Sequence, residues 1–220
     1  MVPRVEFNKD MQQLHQEIIR MGALVEQAIN DAVRALTDMD IETAQKVIDG
    51  DDQIDEMERA IDRHCIEIIA RQQPVASDLR DVTSTLKLIT DLERIADHAS
   101  DISERVLALE QLENKVAVPY DIATIIQMAQ NMLKGALDAY VARDEEKARS
   151  IILMDEKVDT LYNQLKDYLS HLMSVDSQNV KQLVEMLLIC KYAERVADHA
   201  QNVAEWVLYY VQGRFVDHQQ

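Results

Sequence analysis

The stretch Glu93-Arg94-Ile95-Ala96-Asp97-His98-Ala99 is written twice in this chain. It returns as Glu194-Arg195-Val196-Ala197-Asp198-His199-Ala200, unchanged at six of seven positions and offset by 101 residues. A match of that density, in a chain with only 4 Gly and 3 Pro, signals an internal duplication, so the two halves must share one architecture. A second correspondence supports this. Asp51-Asp52-Gln53-Ile54-Asp55 aligns with Asp155-Glu156-Lys157-Val158-Asp159 at an offset of 104. The three-residue drift between the two offsets is expected in the turn between the second and third helices, where length changes are tolerated best.

The apolar positions follow helical spacing throughout. Residues 1 to about 7 read as a short lead, and from Met11 the run Leu14, Ile18, Met21, Val25, Ala28, Ala32, Ala35 makes one amphipathic helix. It pauses near Thr37-Asp38-Met39-Asp40, and a second helix carries Ala44, Val47, Ile54, Met57, Ile61, Cys65 and Ile68. Pro74 ends that helix and Ser77 is expected to cap the next, which runs from about Asp78 past Leu109. The segment 113–119 breaks the pattern, with Pro119 suited to a first helical turn, and marks the boundary between repeats. Three more helices follow, separated near Arg143-Asp144 and at Ser174-Val175-Asp176-Ser177 and closed by Gly213. Short connections force antiparallel neighbours. The fold class expected is all-α: two tandem pseudo-symmetric three-helix bundles, over 8–112 and 119–212. How closely the two bundles pack is open at this level.

Composition narrows the function. With 40 acids against 23 bases the formal charge is −17, which opposes nucleic acid, since a DNA or RNA binder needs clustered Lys and Arg to displace counterions. The same field disfavours free phosphate and anionic membrane surfaces, and points to metal cations and basic protein surfaces as partners. Cys65 and Cys190 stand alone in apolar helical context and read as small core residues. The start of the chain, with Glu6 and Asp10 and no apolar run, does not read as a signal peptide. No stretch reaches the length of a membrane span, so no membrane insertion and a cytoplasmic location are expected.

The carboxylates carry the sharpest pattern. Glu93 and Asp97 are four apart, hence one turn apart on one helix face, as are Asp51 and Asp55. Asp155 with Asp159, and Glu194 with Asp198, repeat both pairs in the second half. A lone Glu-x3-Asp on a helix is ordinarily a solvated face, and in so acidic a chain such pairs arise by chance. Both pairs, however, recur at matching places. Four carboxylates converging from adjacent antiparallel helices repel one another unless protonated or bridged by cations. Oxygen-only ligand sets suit hard divalent ions such as Mg²⁺, Mn²⁺ or Fe²⁺, with room for more than one metal per cluster. His98 and His199 follow the motif acids directly and so point about 100° away around the helix. They are expected to be exposed, or to stand behind the ligands. Arg94 and Arg195 are expected to pair with nearby acids, and Ala96, Ala99, Ala197 and Ala200 to let helices approach closely.

With these motifs in view, the chain resembles the PhoU family of phosphate-signalling regulators over nearly its whole length. Met21-Gly22-Ala23-Leu24-Val25-Glu26 is similar to the family's first helix. Arg71-Gln72-Gln73-Pro74-Val75-Ala76-Ser77-Asp78-Leu79-Arg80 is similar to its turn into the third. The resemblance implies two three-helix bundles, each with a multinuclear cluster of divalent metal (Mg, Mn, Fe or Zn). One cluster would be held by Asp51, Asp55, Glu93 and Asp97, the other by Asp155, Asp159, Glu194 and Asp198. Where the family commonly has Gly before the motif Asp, this chain has Ala96 and Ala197. The implied function is negative control of the phosphate-starvation response, linking the ATPase subunit of a phosphate ABC transporter to a sensor histidine kinase, with a homodimer expected and no catalysis. The residues themselves show no Ser-His-Asp pattern, no phosphate-cradling Gly loop and no zinc-protease motif. Two rival readings are a di-iron carboxylate oxidase and a metal-free helical adaptor. The oxidase reading needs Glu-x-x-His, whereas positions 96 and 197 are Ala.

Overall fold

Long apolar stripes at helical spacing can be buried only by packing helix on helix, and the computed structural model, which describes residues 4–112 and 118–213, is built that way. The described residues form α1 (Arg4–Asp38), α2 (Ile41–Gln72), α3 (Ser77–Glu110), α4 (Tyr120–Ala142), α5 (Glu145–Val175) and α6 (Val180–Gln212), with no strand among them. Helices α1 to α3 make one three-helix bundle and α4 to α6 its pseudo-symmetric copy. The boundary segment 113–117 and the tail after Gly213 lie outside the described residues.

The duplication extends to the turns. Met39 and Arg143 occupy equivalent left-handed positions, with φ of 51° and 53°. The next residue caps the following helix in each half. Asp40 accepts from the Thr43 amide at 3.1 Å, and Asp144 accepts from the Lys147 amide at 3.0 Å. Capping of this kind satisfies amides left without a partner in a helix's first turn.

Three local expectations need correction. Residues 4–7 of the expected lead belong to the helix α1, and residues 1–3 lie outside the described residues. Phe7 packs against the core and Met11 is buried, which gives those turns an apolar face to hold. Ser77 is the first helical residue and does not cap α3. The capping position is Ala76, at φ 50° and ψ −117°, with no side-chain cap. The chain leaves α2 through left-handed Gln73, whose amide donates to the Ile69 carbonyl as a helix C-cap, and Pro74 cannot continue the helix. Finally, the turns from α2 to α3 and from α5 to α6 each span four residues, 73–76 and 176–179, so the drift in offset is absorbed at helix ends and not by turn length.

The two bundles share one continuous core. It runs through Leu14, Ile18 and Met21 of α1, Leu92 and Ile95 of α3, Ile122 and Leu133 of α4, and Val196 and Val203 of α6. Gly22 permits α1 to approach α4: a Cβ there would lie 2.7 Å from Cδ2 of Leu137. Ala96 and Ala197, the departures from the family's Gly, are buried, as are Ala99 and Ala200. Cys65 and Cys190 are also buried, and burial pushes both thiols up to about 12, which fits inert core residues.

The seam between α3 and α6 is polar along one edge and antiparallel. On α3 the participants Asp91, His98 and Arg105 recur every seven residues, and on α6 so do Glu185, Tyr192, His199 and Trp206. Arg105 pairs with Glu185 at 3.4 Å, and His98 stacks on Tyr192 with ring centroids 5.7 Å apart. Asp91 sits 2.9 Å from Nδ1 of His199 and accepts from Nδ2 of Asn202 and Nε1 of Trp206, each at 3.1 Å. Replacing this shared acceptor removes three hydrogen bonds at a part-buried position. Asp91→Ala is expected to lower unfolding free energy by about 1–3 kcal/mol, and Asp91→Asn by less, as read from urea denaturation.

Candidate metal centres

The spacing of consecutive helix residues, about 100°, settles how α3 and α6 use their two faces. With His98 and His199 turned into the seam, Asp97 and Asp198 point about 100° around the helix from it, toward α2 and α5 respectively. Six of the eight carboxylates picked out by spacing converge. Asp55, Glu93 and Asp97 place one oxygen each within 4.8 Å of one another, and Asp155, Asp159 and Asp198 do the same in the second half. Each group joins two antiparallel neighbours, α2 with α3 and α5 with α6.

The remaining two acids stand beside these groups. Asp51 feels both Asp97 and Asp55. Its carboxyl is raised to about 6, first by burial and then by these like charges. Glu194, only 9 % exposed, is drawn to Lys191, whose Nζ lies 2.5 Å from Oε2. Burial, then Asp159, Asp198 and Glu194, raise Asp155 to about 6 as well. Glu93 and Asp198 are shifted upward too, burial again leading.

Basic side chains touch the groups from outside. Arg94 lies 2.8 Å from Asp97 and 3.4 Å from Glu93, as the sequence led us to expect, and Arg59 pairs with Asp55 at 2.6 Å. Arg195 is exposed and forms no ion pair among the described residues. Both arginines at the first group are more than half exposed, so their pairing is screened and weak. Oδ1 of Asp155 is buried with no hydrogen-bond partner. Oxygen donors clustered within one coordination sphere, carboxyls that resist ionising, and a buried oxygen without a partner together fit a hard divalent cation.

The histidines differ from expectation. His98 and His199 are largely buried and belong to neither carboxylate group. Their Nδ1 atoms are held by Asp101 at 3.0 Å and Asp91 at 2.9 Å. Burial lowers the pKa of His98, opposed by Asp101. The Glu-x-x-His geometry of an oxidase is therefore missing from both groups.

Spacing analysis also missed residues. Glu58, one turn beyond Asp55, adds negative charge near Glu93, and Lys191 reaches Glu194. A position-by-position comparison of the repeats would have exposed both. A cleft of about 720 Å³, lined where α1 and α3 begin and α6 ends, holds none of the eight acids. There Nε of Arg80 donates to the Tyr210 carbonyl at 3.2 Å, and Arg143 lies 4.9 Å from the Tyr210 ring.

Fold and site thus define a duplicated all-helical scaffold with paired carboxylate groups. The PhoU domain family matches residues 18–106 and 122–207, one copy per bundle. A phosphate-specific transport system accessory protein PhoU homolog of Clostridium acetobutylicum is 40% identical over 212 residues, covering 96% of each chain. The PhoU accessory protein of Escherichia coli is 34% identical, covering 97% of this chain and 88% of its own. The crystal structure of PhoU from Pseudomonas aeruginosa superimposes with a TM-score of 0.92 at 38% identity, over 94% of this chain and 100% of that one. This chain belongs to the PhoU family.

The raised carboxyls carry a pH signature. A carboxyl whose pKa rises on folding binds its proton more tightly in the folded state, so it stabilises below its unfolded value near 3.8. That contribution is lost as pH rises through the folded value, about 6 for Asp51 and Asp155. In chelator-treated protein, the melting temperature of wild type relative to an Asp51→Asn, Asp155→Asn variant is expected to fall between pH 4 and 7, as followed by circular dichroism. Adding Mn²⁺ should remove that relative loss.

Proposed function

We propose that this protein is a negative regulator of the phosphate-starvation response, acting in the cytoplasm through protein–protein contacts and without catalysis. It couples the ATPase subunit of a phosphate ABC transporter to a sensor histidine kinase, and it works as a homodimer. The observation that carries this reading is end-to-end similarity to accessory proteins of phosphate-specific transport, at 40% identity in one case. No described helix is long and apolar enough to cross a membrane, in keeping with a partner that meets the transporter from outside the bilayer.

Divalent metal belongs to the same proposal. Asp51, Asp55, Glu93 and Asp97 would hold it in the first bundle, and Asp155, Asp159, Glu194 and Asp198 in the second. The ion, Mg²⁺, Mn²⁺, Fe²⁺ or Zn²⁺, would cancel carboxylate repulsion and offer open positions to an acidic or phosphorylated group of a partner. The protein's own part is to hold the carboxylates on stiff neighbouring helices, so that little order is lost when a cation arrives.

One observation favours a metal-free adaptor instead: Arg59, Arg94 and Lys191 already neutralise part of each group. Metal analysis of protein purified without chelator separates the two. Asp97→Ala combined with Asp198→Ala is expected to abolish retained metal while circular dichroism reports unchanged helicity. In pull-downs at high and low phosphate, with metal measured on the same sample, stripping the metal is expected to weaken capture of kinase or transporter ATPase. Unchanged capture after complete metal removal would reject a role for metal in docking.

A further inference from the structure

The two carboxylate groups are copies of one another by register, yet their surroundings have diverged. At the offset of 101, Thr90 of α3 occupies the place of Lys191 on α6. At the offset of 104, Glu58 of α2 stands where α5 has Tyr162, and Asp62 where α5 has Lys166. Along α2 the acid ladder thus continues past Asp51 and Asp55 to Glu58 and Asp62. Along α5 it stops at Asp159 and gives way to an aromatic ring and a lysine.

The geometry shows what this change does. Nζ of Lys191 lies 2.5 Å from Oε2 of Glu194 and 5.2 Å from the Tyr162 ring centroid; Lys166 flanks the same ring at 5.7 Å. Tyr162 therefore seats an ammonium beside the second group, with cation–π attraction adding to the ion pair. Glu194 falls outside the convergent oxygens of its own group, whereas its counterpart Glu93 lies inside. At the first group Thr90 has no charge and turns its hydroxyl to the Leu86 carbonyl. Arg59 and Arg94 do contact that group, but with side chains 62% and 54% exposed, and Glu93 stays in place. Lys191, with its side chain 40% exposed, pairs instead with a Glu194 side chain only 12% exposed, against 29% for the Asp97 side chain that Arg94 meets.

We infer that Lys191 is a tethered cation that competes for the second carboxylate site, so that divalent metal fills the Asp51, Asp55, Glu93, Asp97 site first and the second only after displacing the ammonium from Glu194. The inference rests on the metal reading above and deepens it. Two unequal sites give the scaffold a graded response to metal concentration, with a half-loaded state in which only one bundle carries a cation.

The test is an Mn²⁺ titration of the full, chelator-stripped chain, with free Mn²⁺ read from its paramagnetic resonance signal. Wild type is expected to show two classes of site separated by about tenfold or more, the scale of one unit charge acting on a divalent ion across a few ångströms of screened medium. Asp97→Asn should remove the tight class and Asp198→Asn the weak one. Lys191→Thr, which copies the first repeat, should tighten the weak class by about fivefold or more and leave the tight class unmoved, while Lys191→Arg keeps it weak. Thr90→Lys should loosen the tight class, with circular dichroism confirming that each variant folds. A single class of equal sites in wild type, or a weak class that Lys191→Thr leaves in place, would overturn the inference. Failure of wild type and all variants to retain any Mn²⁺ would instead overturn the metal reading beneath it.

Discussion

The antiparallel contact between α3 and α6 is the constraint on which the rest of the molecule depends. It pins one stripe of each helix, Asp91 with His98 and Arg105 on one side and Glu185 with Tyr192, His199 and Trp206 on the other. Once those side chains are committed, helical geometry leaves no choice about the remaining faces. The motif acids, one residue before each histidine, must turn toward α2 and α5. A seam that joins the bundles thereby aims both carboxylate groups away from it.

The same arrangement stores unfavourable electrostatics. Burial and like-charge proximity raise Asp51 and Asp155 to about 6, so at neutral pH both carry charge against resistance. Exposed arginines relieve the first group only weakly, because solvent screens them. Lysine relieves the second more directly, through a carboxylate with little access to water. The two bundles therefore have the same backbone plan and the same acids, but different means of tolerating them. Stiff helices fix the geometry of both groups, while the charges around them differ.

How much of this could be read beforehand differs element by element. Helix positions and the pause at Thr37-Asp38-Met39-Asp40 follow from apolar spacing, whereas the cap that Asp40 supplies emerged with the structure. Ser77 misled because capping depends on backbone angles, and Pro74 with Ala76 brings the chain in at the wrong angle for its hydroxyl. The start of α1 was missed because Phe7 gains its packing partners only when other helices arrive. The histidines were misjudged for a related reason. Their partners Asp91 and Tyr192 lie about a hundred residues from His199 and His98, beyond any local pattern.

By itself, the sequence determined the duplication, the all-helical class, the family and the paired spacing of the acids, because each is written in local spacing or in the likeness of the two halves. Tertiary structure alone decided that the bundles share one core and that α3 meets α6 edge to edge. It also decided that Asp51 and Glu194 stand beside the converging oxygens and not among them. Those outcomes depend on how side chains from distant segments divide limited space and charge. A repeat in sequence sets equal backbones, whereas the neighbours at residues 58, 90, 162 and 191 set unequal environments.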